Sequence, residues 1–290
     1  MKDLCCDVIL GRDFHTQHDS VHLRYGRLNP FSVCGLAAAS IDPPELFSNL
    51  SSDCKPIATK LRRYNSIDKQ FIDSEVQRLL CDGVIEPSNS PWRAQVVVTK
   101  NENHKKRMVV DYSETINKFT NLDAYPLPRL DDTVNKIAQY SVFSTIDLKS
   151  AYHQIPIRDS DKIYTAFQAN GGLYQFTRIP FGVTNGVACF QRVMNRCIEE
   201  ESLDGTFAYL DNVFICGHDQ QSHDENLSKF KQAAAKLNIT FNEDKCEFSK
   251  SELAVMGHIV GPAGQIKPDP EGSVLFVTCL VLQVESTEIL

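Results

Sequence analysis

The chain has 290 residues, 42% apolar and 23% charged, which allows one large or two modest cores and excludes a disordered or fibrous protein. Its ten cysteines are scattered, with no CxxC and no Cys/His cluster at zinc spacing, so neither a disulfide framework nor a zinc module is implied. The net charge of −7 weighs against a nucleic-acid partner, because phosphate contacts need Lys and Arg.

Residues 1–10 (MKDLCCDVIL) lack the apolar core of a signal peptide. The apolar run Val274 to Val284 is shorter than the roughly 20 residues a membrane span needs. The expectation is an intracellular protein, cytoplasmic or nuclear, with no membrane partner.

Residues 1 to 55 read as loop and short strand, with Pro43-Pro44 and the polar stretch Ser48 to Asp53 as a linker. From Ser66 to Gly83 the apolar positions Ile67, Phe71, Ile72, Val76, Leu79 and Leu80 share one helical face, with Ser66 as cap and Gly83 as stop. Val96 to Thr99 and Met108 to Asp111 predict a hairpin with a basic tip at Asn101 to Arg107. Val142 to Leu148 is a strand that runs into a helical stretch around Ala151-Tyr152. Tyr164 to Gln168 and Leu173 to Thr177 flank Asn170-Gly171, the strongest two-residue hairpin signal.

A helix covers Gly186 to Glu200. Phe207 to Leu210 and Val213 to Cys216 form a second hairpin turning at Asp211-Asn212. Ser222 to Glu225 reads as a capping box, opening a helix that buries Leu227, Phe230, Ala234 and Leu237. Val255 to Val260 and Gln265 to Lys267 close the series as a hairpin turning at Gly261 to Gly264. Strands and helices without regular alternation indicate α+β: an antiparallel sheet with helices on one face.

Two basic runs stand against the acidic total: Lys55, Lys60, Arg62 and Arg63, then Lys100, Lys105, Lys106 and Arg107. They read either as solvated turns or as patches that steer a polyanion. Asp147 closes an apolar strand and Asp211 sits at an apolar hairpin turn. A carboxylate at the end of a buried strand needs a partner, and a divalent cation is one solution. Alone, each reads more simply as a turn or strand-end residue.

Their flanks decide. Ser-Thr-Ile-Asp147-Leu-Lys-Ser-Ala-Tyr152-His-Gln-Ile-Pro-Ile resembles the first catalytic motif of reverse transcriptases of gypsy-like long-terminal-repeat retrotransposons, and Tyr209-Leu210-Asp211-Asn212 resembles their Tyr-x-Asp-Asp motif. Between them, Arg178-Ile-Pro-Phe-Gly-Val-Thr-Asn185 and Phe190-Gln-Arg-Val-Met-Asn195 are similar to the segment beside the nucleotide pocket. Upstream, Ser90-Pro91-Trp92 and Arg107-Met-Val-Val-Asp111-Tyr112 resemble the fingers. Downstream, Asn242-Glu-Asp-Lys245-Cys246-Glu-Phe248 and Met256-Gly257-His258 resemble the last palm strand and the primer grip.

The resemblance implies a right-hand polymerase fold with fingers and palm over residues 55–271, the thumb missing or incomplete. It implies RNA-directed DNA polymerase activity on an RNA or DNA template-primer with dNTPs. Asp147 and Asp211 would hold two Mg²⁺ ions, or Mn²⁺, roughly 3.5–4 Å apart. Tyr152 would form the floor beneath the sugar, Lys100 and Arg107 would clamp the triphosphate, and Lys245 would donate a proton to pyrophosphate. Met256, Gly257 and His258 would position the primer end. Outside this context Tyr152 reads as core, Lys100 as a solvated turn and residues 256–258 as strand packing.

Asn212 departs from the pattern, because an amide replaces one of three metal-binding carboxylates, and polymerisation is expected to be severely impaired or absent. Asn185-Gly186-Val187 stands where Asn-Ala-Pro is usual, and Ser113 where a basic residue is common. Val8-Ile-Leu-Gly11-Arg-Asp13-Phe14 with His18-Asp-Ser-Val21 resembles the C-terminal flank of the retropepsin-like protease, giving a remnant at 1–26 and a linker at 27–54. No Asp-Thr-Gly or Asp-Ser-Gly occurs, so protease chemistry is not expected. Residues 272–290 form a divergent apolar tail where the connection and ribonuclease H regions would begin. The alternatives to an impaired polymerase are a nucleic-acid-binding pseudoenzyme and a decayed transposon-derived product.

Overall fold

The computed structural model describes residues 21–25, 29–33, 36–60, 62–100, 105–255 and 257–269. The expected protease flank before Val21, the tail from Gly272 and Met256 lie outside the described residues, as do residues 101–104 of the basic tip. None of the described helices is long and apolar enough to cross a membrane.

Strands β1 (Val21–Tyr25) and β2 (Asn29–Val33) pair antiparallel. Helix α1 (Ser66–Cys81) buries Ile72, Val76 and Leu79. Its cap is Asn65 rather than Ser66: Asn65 has extended backbone, and its side chain accepts the Asp68 N–H at 2.7 Å. Ile67, expected on the buried face, is 67% exposed because only the later turns of the helix are covered. Gly83 ends the helix as expected. Its φ of 63° lets Gly83 and Val84 return N–H groups to Leu80 and Leu79 at 3.1 and 2.9 Å.

Strand β3 (Ile85–Pro87) follows, and β4 (Gln95–Lys100) pairs with β5 (Lys106–Asp111) as the expected hairpin. After α2 (Leu130–Ile137) come β6 (Val142–Asp147), α3 (Ala151–Gln154) and α4 (Asp159–Lys162). β7 (Phe167–Ala169) and β8 (Gly172–Phe176) turn at Asn170 and Gly171, both with positive φ, which is the twist-matched turn such a pair favours. Tyr164 and Thr165, expected as the start of that first strand, lie instead in a 3₁₀ turn (Ile163–Thr165).

Helix α5 (Gly186–Glu200) has its expected bounds. β9 (Thr206–Tyr209) and β10 (Asn212–Gly217) turn at Leu210-Asp211, one residue before the expected position, because Asn212 pairs with Tyr209 and belongs to the ladder. Helix α6 (Gln220–Leu237) carries its capping box one turn earlier than expected: Asp219 is the cap and Ser222 the third helical residue. β11 (Glu247–Lys250) follows. The expected last hairpin is a three-stranded meander of β12 (Leu253–Val255), β13 (His258–Gly261) and β14 (Gln265–Pro268). Gly257, with φ of 79°, reverses the chain inside what reads as one strand.

The central antiparallel sheet has the order β11-β6-β10-β9. Ile146, Val213 and Ile215 face the main core with Met194 of α5 and Phe230 and Ala233 of α6. Phe143, Phe214 and Cys216 point to the opposite face, against Val134 and Ile137 of α2 and Leu253, Val255 and Val260 of the meander. Helices therefore cover both faces rather than one, since alternate residues of β6 and β10 are apolar in both directions. Each fully buried large side chain contributes roughly 1.5–3 kcal/mol, so the two clusters clamp the sheet. At the far end of the second face, Asp147 and Asn212 are only partly buried.

Candidate active site

Asp147, the last residue of β6, lies directly across from Asn212, the first residue of β10. The Leu148 N–H donates to the Asp211 carbonyl at 3.0 Å, which brackets the pair as one without mutual backbone hydrogen bonds. Such pairs hold their Cα atoms about 4.5 Å apart with side chains on the same face. Asp211 is the second turn residue, after Leu210, whose φ of 53° is a conformation glycine adopts more readily. Burial, together with the nearby Asp211 carboxylate, pushes the Tyr152 phenol up to about 12. Tyr152 packs against Phe190 and Phe181 with ring centroids 4.8 and 5.0 Å apart, and Phe181 is 51% exposed above it.

Several amides hold this arrangement. Asn242 donates its backbone N–H to the Asp147 carbonyl at 2.9 Å and its Nδ2 to Asp147 Oδ1 at 2.7 Å. The Lys245 ammonium stands 3.8 Å from the same oxygen. Gln191, buried on α5, donates Nε2 to the Ala208 carbonyl at 2.8 Å and accepts the Leu210 N–H on Oε1 at 3.2 Å. It also donates to Asn195 Oδ1 at 2.9 Å, and Asn195 donates to the Tyr125 hydroxyl at 2.8 Å. Gln154, beside Tyr152 on α3, donates to the Lys149 and Thr240 carbonyls and accepts the Thr240 N–H. All of its amide groups are satisfied, so α3 is tied to the segment that leads into Asn242.

Behind the sheet, Ser144, His223 and Asp224 line up as hydroxyl, imidazole and carboxylate, 2.8 and 3.0 Å apart. The carboxylate accepts only, so Nδ1 carries a proton; in the neutral ring Nε2 then accepts from Ser144, and Ser144 Oγ accepts the Ser249 N–H at 3.1 Å. Both Ser144 and His223 are fully buried, and no substrate reaches them. The trio is a strut joining β6, α6 and β11.

Of the residues singled out from sequence, Asp147, Asp211, Asn212, Tyr152 and Lys245 come together. Lys100 and Arg107 are exposed on the β4–β5 hairpin, a separate sheet, and Lys106 between them is held by Asp68 at 2.6 Å. Gly257 and His258 lie in the meander, which is likewise a separate sheet. Among the described residues no group of three or more His, Cys, Asp or Glu side chains could hold a metal. The donors at the candidate site are two carboxylates and one amide oxygen. These are hard oxygens of the kind a divalent cation takes. The roles of Asn242, Gln191 and Phe181 are not visible in the sequence. All three stand inside quoted motifs, but their partners are remote in sequence.

Residues 98–260 match the family described as reverse transcriptase (RNA-dependent DNA polymerase). The chain belongs to the reverse transcriptase family. It is 34% identical over 221 residues to the retrovirus-related Pol polyprotein from transposon opus of Drosophila melanogaster, covering 74% of this chain and 22% of that protein. Against the Pol polyprotein from transposon 297 of the same organism the identity is 36% over 204 residues, covering 69% and 19%. The chain thus spans about a fifth of the length of these relatives. Among solved structures, the foamy viral protease-reverse transcriptase in complex with dsDNA superimposes with a TM-score of 0.71 at 21% identity, covering 81% of this chain and 48% of that one. The same protein with an RNA/DNA hybrid gives 0.69 at 20%, covering 81% and 31%. At such identity the likeness carries the fold, and the fold is that of a polymerase.

Proposed function

We propose that this chain is the fingers-and-palm portion of a transposon polymerase that extends a primer on an RNA or DNA template, and that Asn212 depresses or silences it. One observation carries the reading: Asp147 and position 212 face each other across β6 and β10, with Asp211 in the adjoining turn. Family membership and the fold support the same reading.

In this reading Asp147 and Asp211 hold the divalent cations, with the Asn212 carbonyl oxygen as a weak third donor. Two bound Mg²⁺ or Mn²⁺ ions would supply activation of the primer 3′-hydroxyl and neutralisation of the triphosphate. A unit-charge pair 4 Å apart is worth about 4 kcal/mol at an effective dielectric of 20, so exchanging a carboxylate for an amide costs orders of magnitude in cation affinity. Tyr152, protonated well beyond neutral pH, offers a flat floor under the sugar and excludes a 2′-hydroxyl. Lys100 and Arg107 bind the triphosphate, the bidentate guanidinium more tightly. Lys245 gives a proton to departing pyrophosphate, and Met256, Gly257 and His258 seat the primer. Template-primer and dNTPs are the partners, and their chemistry belongs to the cytoplasm or nucleus.

Primer extension on an RNA template with Mg²⁺ and with Mn²⁺, wild type beside Asn212→Asp, tests this. Activity confined to, or far higher in, the reverted variant is expected. Equal rates in both would overturn the role given to Asn212, and silence in both would overturn the polymerase reading. A second reading, a pseudoenzyme that grips template-primer without chemistry, is favoured by Asn212 itself. It predicts salt-dependent hybrid binding without extension.

A further inference from the structure

We infer that Asn242 is a positioning residue that aims the Asp147 carboxylate. The inference rests on the polymerase reading above and goes beyond it. β6 ends at Asp147 with β10 on one side. On the other side the chain from Thr240 to Asn242 runs alongside: the Lys149 N–H reaches the Thr240 carbonyl at 3.1 Å, Leu148 bridges to Phe241, and the Asn242 N–H reaches the Asp147 carbonyl at 2.9 Å. Asn242 thus grips one residue by both backbone and side chain, and its Nδ2 lies 2.7 Å from Asp147 Oδ1.

A free aspartate at a strand end swings about two dihedrals. One charge-assisted hydrogen bond from a fixed amide removes that freedom and leaves the remaining lone pairs of the carboxylate facing outward for a cation. Asn242 is itself fixed. Its carbonyl accepts from the Lys245 N–H and from Cys246 Sγ, both at 3.0 Å, and Gln154 holds Thr240 two residues earlier. The Lys245 ammonium, 3.8 Å from the same oxygen and largely exposed, is a looser neighbour that a cation can displace.

A merely structural Asn242 would change thermal stability and leave cation affinity alone, so the two roles separate in one experiment. Mn²⁺ affinity is read by electron paramagnetic resonance in the whole chain, with and without Asn242→Ala, in both the wild-type and Asn212→Asp backgrounds. Primer-extension kcat and template-primer Kd are read in the Asn212→Asp background. We expect Asn242→Ala to weaken Mn²⁺ binding and lower kcat by about 10–100-fold, with template-primer Kd unchanged within about twofold. Asn242→Leu, which keeps side-chain volume and removes the donor, should behave alike.

Unchanged Mn²⁺ affinity and kcat in both variants would overturn the inference while leaving the polymerase reading intact. So would recovery in the Leu variant alone, or failure of both variants to fold. If Asn212→Asp never extends a primer but Asn242→Ala still weakens Mn²⁺ binding, the positioning role stands and the polymerase reading falls. Absence of Mn²⁺ binding in every background overturns both.

Discussion

Asn212 and Asp147 oppose each other as a cross-strand pair of the central sheet, with both side chains leaving the same face. An amide across from a carboxylate is a neutral neighbour, whereas a carboxylate there would be a like charge at close range. Like charges directly opposite in an antiparallel pair destabilise by a few tenths to about 1 kcal/mol. Asn212→Asp is therefore expected to lower stability to urea in chelator and to exceed wild type once Mn²⁺ is added. Denaturation curves with and without the cation check the crossing; a variant equally stable in both conditions would contradict it.

Gln191 replaces a missing strand beside the turn that carries Asp211. Replacing it with Leu keeps the volume and strands the Ala208 carbonyl and the Leu210 N–H without partners. Each buried group left unsatisfied costs roughly 1–3 kcal/mol, so Gln191→Leu should lose about 2–4 kcal/mol in urea unfolding. Gln191→Leu should also weaken Mn²⁺ binding, because the strained Leu210 turn loses its only side-chain clamp on that edge among the described residues.

His153 packs beside Phe176 and Phe181, and its Nε2 is buried without a hydrogen-bond partner among the described residues. Burial, with help from Arg78 and Arg178, lowers its pKa from 6.5 to about 4. The unfolded chain then binds the proton first, so stability falls as pH drops from about 6.5 toward 4 and is unaffected by this group above that window. The loss from this group alone is about 3 kcal/mol at most. Parallel urea titrations at pH 7 and pH 5 of wild type and His153→Phe should show a smaller acid loss in the variant.

Ser144, His223 and Asp224 share the atom order of a hydrolase triad, yet the hydroxyl is sealed. A serine-directed fluorophosphonate should leave Ser144 unlabelled in the folded chain. Ser144→Ala removes the acceptor of the Ser249 N–H and the donor to His223, and is expected to cost about 2–3 kcal/mol. Labelling of the native protein would contradict the sealed geometry.

Local signals survived folding where their chemistry is local. Asn170-Gly171 made its turn because only those residue types accept two positive φ angles cheaply, and Gly83 ended its helix for the same reason. Asn65 and Ser66 are both good caps, and the backbone angle chose between them. The break at Gly257 was hidden inside an apolar run, where a strand and two short strands read alike. Asp147 and Asp211 stood out by their strand ends. The grip of Asn242 and Gln191 was illegible, since Asn242 lies 95 positions from the carboxylate it holds.

The Gln191 amide also has a consequence for the sheet as a surface. β9 is an outer strand, and the outward-facing carbonyl of Ala208 would otherwise be open to any extended peptide. Gln191 occupies that position with a side chain, so the border of the sheet beside the Asp211 turn is sealed against strand addition. At the opposite border β11 is exposed, broken by an irregular register and marked by Glu247 and Lys250. Both borders thus resist edge-to-edge assembly, one by occupancy and the other by charge and distortion.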